Sequence, residues 1–148
     1  MHTNYVPYLK KYIFWMLGVV LLSSPLYAES VTLSCPHKEV SLKVELAQTP
    51  QEQEKGLMFR TLLGENEGML FLYPSPRPVA MWMKNTHLSL DIIFCNLEGH
   101  ILAIHEKTTP HSLKSIGPVE GTSQVLEVLG GTIQKHQITT DCVLRQGS

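Results

Sequence analysis

Residues 81–94, MWMKNTHLSLDIIF, set an indole, an ammonium, an amide, a carboxylate and two thioethers between apolar runs. Trp82 and Lys84 could hold an anionic or sugar-like ligand by stacking and charge, with Asp91 and Glu127 as carboxylates and Arg60 as a bidentate donor. The plain alternative is an ion-pair network among the same groups. Asn85 reads first as a turn residue with positive φ and only second as a ligand contact. Asp91 with Glu127 is also the kind of pair a glycan-directed hydrolase needs, with its carboxyls about 5 Å or about 6.5–9.5 Å apart. The thioethers of Met58, Met69, Met81 and Met83 with His87 would suit Cu(I), although core packing is the ordinary use of Met. No G-x-S-x-G, HExxH, phosphate loop or dinucleotide fingerprint occurs, so no cofactor, metal or catalytic residue is assigned. A binding module is preferred over an enzyme.

These side chains need strands to hold them. Leu88, Leu90, Ile92 and Phe94 alternate with Ser89 and Asp91, the period of a half-buried strand, which turns Asp91 away from the core. Met81 and Met83 alternate likewise with Trp82 and Lys84 before Asn85 and Thr86 break the run. The pattern predicts a hairpin with an even connection: Trp82 and Lys84 share a face with Asp91, and Met81 and Met83 point inward beside Leu90 and Ile92. An odd connection would set polar against apolar on both faces.

Val40, Leu42, Val44 and Leu46 mark an earlier strand, and Thr49-Pro50-Gln51-Glu52 starts a short helix with a capping box, which Gly56 ends. Arg60, a lone charge after Leu57, Met58 and Phe59, needs a carboxylate: Glu45, Glu127 or Asp91. A strand over 69–72 should stop at the prolines of 74–78, which read as a stiff loop outside any sheet. Asn96-Leu97-Glu98-Gly99 reads as a turn into a strand over 101–105. Residues 107–121 read as a long loop, 124–129 as a strand, 132–136 as a last helix and 141–144 as a last strand. The fold class is mainly β, a compact sandwich or barrel-like sheet with one or two short helices.

GLMFR at 56–60, GMLF at 68–71, WMKNT at 82–86 and LDIIF at 90–94 follow one another in that order, with ELAQTPQEQEK before them and VLEVLGG after. From about Leu42 to Leu144 the chain thereby resembles the DUF192 family of small exported or membrane-tethered domains. The resemblance implies a compact, mainly β fold and supplies no reaction. It also marks departures: Gln53 stands where the family commonly has Arg, and Gln137 and Thr140 where it usually has Gly, so turns there are open to change.

Lys10 and Lys11 precede an apolar run over 12–22 and a small-residue stop at Ala28, which reads as a signal peptide over 1–28 ahead of one domain over 29–148. The run is short for a bilayer, so no stable membrane span is expected after cleavage. The expected location is periplasmic or secreted, with an uncleaved anchor in the inner membrane as the alternative. Without Lys10 and Lys11, the 12 basic residues fall to 10 against 13 acids, a formal charge of −3, and the basic residues are scattered. That pattern offers nucleic acid no basic stripe. Cys35, Cys95 and Cys142 allow at most one disulfide, with Cys35–Cys142 the candidate pair at the domain's two ends; three reduced thiols are the equal alternative. The expected partner is a small anionic or polar ligand, or an envelope protein.

Overall fold

The computed structural model describes residues 29–147; the signal peptide read over 1–28 lies outside the described residues. The chain runs β1 (Glu29–Cys35), β2 (Lys38–Ala47), α1 (Pro50–Lys55), β3 (Glu67–Met81), β4 (Leu90–Cys95), β5 (Ile101–His105), β6 (Ile116–Leu129), α2 (Thr132–His136) and β7 (Val143–Gln146). The seven strands form one sheet in the order β5-β4-β6-β3-β2-β1-β7. β2 and β3 are parallel, and α1 lies in the crossover that a parallel pair requires. The sheet curls until its ends meet: the Leu144 N–H donates to the Gly99 carbonyl at 2.9 Å, and His100 bridges to Val143. A single coiled sheet, and not two packed sheets, is therefore the architecture.

Both faces of this sheet are covered. Val31, Leu33, Leu42, Val44, Leu70, Ile93, Leu126 and Val128 build one core with Ile133 of α2. Met69, Phe71, Leu90, Ile92, Phe94 and Val125 build a second with Leu57, which follows α1. Successive side chains on a strand point to opposite faces. Since Asp91 pairs with Val128, and both Ile92 and Met69 pair with Glu127, Asp91 belongs to the first face and Glu127 to the second.

Three expectations are corrected here. The hairpin between residues 81–84 and 88–94 does not form: β3 ends at Met81, β4 starts at Leu90, and β6 lies between them, paired to both. The inward placement of the thioethers survives, with Met83 buried in the second core and Met81 packed against it beside Leu90 and Ile92. The prolines of 74–78 do not end the strand, because this half of β3 pairs only with β6, in a bulged ladder at Arg77↔Thr122, Val79↔Val119 and Met81↔Ile116. Pro76 and Pro78 take the alternate positions on an open edge, where a missing N–H costs no ladder bond. Finally, the segment read as a loop over 107–121 is strand from Ile116 onward.

Candidate functional site

The helix α1 is set by its cap. Thr49 Oγ1 accepts from the Glu52 N–H (3.3 Å), and Glu52 Oε2 accepts in return from the Thr49 N–H (2.9 Å), the reciprocal box expected from the sequence. Gln53 Nε2 donates to the carbonyls of Leu72 (2.8 Å) and Ala47 (3.3 Å). An amide thus ties α1 across β2 and β3 at the position where the resemblance leads one to expect Arg. Gly56 ends the helix at φ +46, and a Cβ there would sit 3.1 Å from the Phe71 ring; the chain turns directly over β3.

Beyond Gly56 the chain is clamped to the loop over 82–89. Phe59, 65% exposed, is held at φ 65 and donates its N–H to the Asn85 carbonyl at 2.8 Å. Asn85 is itself at φ 52, and its Nδ2 contacts Met58 Sδ at 4.0 Å. Side chains in left-handed backbone are uncommon, and for a bulky Phe costly, so such residues persist only where their surroundings hold them.

Between the two clamped segments runs a narrow cleft of about 20 Å³, with Met58, Met81, Trp82, Lys84 and Thr86 along it and Glu127 at its floor. That is room for about one water molecule. Trp82 is 43% exposed, and the Lys84 ammonium lies over its ring, 4.9 Å from the centroid. Wider grooves adjoin it, one of about 320 Å³ past Met58, Phe59 and Asn85 and one of about 170 Å³ past Ala80 and Leu113. Larger hollows of about 490 Å³ beside Lys43 and Glu65 and about 560 Å³ along residues 105–117 end on no unpartnered buried charge.

Glu127 is 4% exposed and, among the described residues, its carboxyl meets no hydrogen-bond donor. Burial alone pushes its pKa up to about 8, so the group carries a proton at neutral pH. Tyr73 shares this environment: burial raises the phenol's pKa, the guanidinium of Arg77 opposes, and Glu127 adds to the rise. The Arg77 guanidinium rests over the Tyr73 ring at 4.6 Å.

Of the residues singled out in the sequence, Trp82, Lys84 and Glu127 share this cleft, and Asn85 lines the groove beside it. Two do not join them. Arg60 forms a bidentate ion pair with Glu45. Asp91 is fully buried on the opposite face, where Oδ1 accepts from the Lys107 N–H (2.7 Å) and Oδ2 from those of Gly131 (3.0 Å) and Ile133 (2.8 Å). The expected patch uniting Trp82, Lys84 and Asp91 is thereby corrected, because the face turned away from one core is the face of another. For the same reason Asp91 and Glu127 cannot work as a hydrolase pair: the sheet separates them. The copper set is divided as well. Met69 and Met83 are buried in the second core, Met58 and Met81 border the cleft, and His87 packs edge-on against His111 at 4.7 Å. Among the described residues no three His, Cys, Asp or Glu side chains group as metal ligands.

Sequence reasoning did not place Gly56 or Gln53 at a site, and it met Met58 only as one thioether of the copper set. Gly56 and Met58 stand in GLMFR, and that motif was the available signal; it was read as a helix end, buried side chains and a charge in need of a partner. Cys35 and Cys142 are joined in a disulfide across the β1–β7 pairing, while Cys95 is a buried thiol whose pKa burial pushes to about 12.

The DUF192 family model, described as Uncharacterized ACR, matches residues 32–146. A crystal structure of a candidate transcription regulator from Sinorhizobium meliloti is similar, with 39% identity, a TM-score of 0.78, and coverage of 80% of this chain and 92% of that one. A protein of unknown function from Novosphingobium aromaticivorans is 34% identical with a TM-score of 0.77, over 82% of this chain and 89% of that one. No curated protein matches the chain.

Proposed function

Since the chain belongs to the DUF192 family, whose description assigns no activity, we propose from the cleft itself that the protein is an exported binding module. It takes a small polar ligand, or a polar side chain of an envelope protein, between Trp82 and Glu127. The observation that carries this reading is Glu127: a carboxyl only 4% exposed, met by no donor among the described residues, and facing an opening lined by an exposed indole. A buried polar group without a partner costs about 1–3 kcal/mol, and a ligand that supplies the partner recovers it. The anionic half of the sequence-based expectation loses its support, because Arg60 is engaged by Glu45 and the floor of the cleft is acidic.

Export is supported by the leader pattern over 1–28 and by a disulfide of the kind that persists in oxidising compartments. No helix among the described residues is long and apolar enough to cross a membrane. The regulator description belongs to the Sinorhizobium meliloti protein, and the scattered basic residues here offer it no support.

A thermal-shift screen with small amides, sugars, amines and carboxylates tests the reading. A ligand at a hundredfold excess over its Kd stabilises by about 2.7 kcal/mol, a shift of several degrees for a domain of this size. At least one class should shift the native protein and fail to shift Glu127→Gln and Trp82→Ala. If every shift persists in both variants, binding lies elsewhere.

A further inference from the structure

Resting on the reading of the cleft as a ligand site, we infer that its occupant is a primary alkylammonium group, seated on the Glu127 carboxylate with Trp82 against its methylene stem. Size selects the head group. The cleft holds about 20 Å³, which a compact ammonium fills as a water would, whereas a planar guanidinium with its three nitrogens does not enter. Charge selects the sign. Once ionised, Glu127 is the buried negative charge at the floor, whereas the cations of the cleft, Lys55 and Lys84, are exposed and half-buried on its border, and Arg60 lies on Glu45.

The wall is already suited to this guest. Lys84 rests its own ammonium on the Trp82 ring at 4.9 Å, so the indole face accepts such a head group, and the incoming stem takes that place when Lys84 swings out to solvent. The grooves on either side, about 320 and 170 Å³, accommodate whatever carries the amine. A lysine side chain of a polypeptide and a small diamine share this chemistry.

Binding an ammonium requires Glu127 ionised. The carboxyl therefore gives its proton to the solvent as the ligand enters, and one O–H···solvent contact is exchanged for an ion pair. Other ionisable groups facing it are Glu54 and Lys55 from α1, Lys84 from the loop and Tyr73 from β3; the two lysines offset the one further acid. Because the empty site holds its proton up to a pH of about 8, affinity for an ammonium rises about tenfold per pH unit toward that value and flattens above it. A neutral ligand accepting a hydrogen bond from the protonated acid would show the opposite slope.

The experiment is calorimetric titration of the full chain with n-butylammonium, N-methylguanidinium and acetamide from pH 6 to 9, in buffers of differing ionisation enthalpy. The expected result is butylammonium binding with release of close to one proton below pH 8, at least tenfold weaker binding of methylguanidinium, and a loss of at least tenfold in Glu127→Gln. Lys84→Met should bind severalfold tighter, since the resident cation is gone. Cadaverine against a lysine-containing tripeptide amide then separates the small-diamine source from the polypeptide source. Equal binding of methylguanidinium, or butylammonium affinity unchanged in Glu127→Gln, overturns the ammonium assignment. If acetamide alone binds, and weakens above pH 8, the polar-ligand reading stands while this inference falls. If no probe binds, both fall.

Discussion

Asp91 and Glu127 are both buried carboxyls, one met by three backbone N–H donors and the other by none among the described residues. Asp91→Ala strands those donors and should cost about 3 kcal/mol or more, with Asn retaining part of the loss, as read by urea unfolding. Glu127 works in the other direction. The folded state keeps its proton to about pH 8, whereas an ordinary carboxyl releases it near 4.5, so between those values the folded chain binds the extra proton. Its contribution to stability is intact below about pH 4.5 and is lost as pH rises through about 8. Unfolding free energy of the native protein should therefore fall relative to Glu127→Gln by up to about 1.4 kcal/mol per pH unit across that window. A flat difference between the two proteins would show the carboxyl to be solvated.

At the scale of elements, α2 lacks a side-chain cap of its own: its N-cap is Gly131, and Asp91 of β4 receives the free N–H groups of Gly131 and Ile133 instead. The helix leaves through Gln137 in left-handed backbone at φ 48, the position where the DUF192 resemblance leads one to expect Gly. The turn has kept its geometry with a less suitable residue, so Gln137→Gly should raise the melting temperature, by up to about 1 kcal/mol of stability. Gly99 is the contrary case. It sits at φ +87, and a Cβ there would lie 2.0 Å from the Leu144 carbonyl oxygen. Gly99→Ala should push β7 away from the β4–β5 turn, costing about 2–3 kcal/mol and removing hydrogen-exchange protection from the Leu144 amide.

The whole molecule is a strip whose two ends are brought together. The disulfide spans a sequence separation of 107 and joins the last residue of β1 to the residue before β7, the first and last strands among the described residues, with 4.1 Å between the Cα atoms. On the chain-entropy account a loop of that size contributes about 4–5 kcal/mol. Reduction with dithiothreitol, or the double change Cys35→Ser with Cys142→Ser, should lower the unfolding midpoint accordingly and leave Cys95 unreactive, its thiol buried and shifted to about 12. A midpoint unchanged by reduction would mean that the curled sheet is held by its hydrogen bonds and cores alone.

Local rules were enough for the sequence to announce α1, the turn at Gly99 and the alternation of β4, because capping boxes, turn residues and period-two patterns act within a few residues; the link between Cys35 and Cys142, 107 residues apart, stayed one of two equal alternatives. The same rules also kept Met83 inward. What they could not decide was which strand lies beside which. Placing β6 between β3 and β4 joins residues some thirty to sixty positions apart, and covering both faces of one curled sheet removes the distinction between inside and outside on which the parity argument relied. Only the tertiary structure could therefore send Asp91 to a helix end, Arg60 to Glu45, and Glu127 alone to the floor of the cleft beneath Trp82.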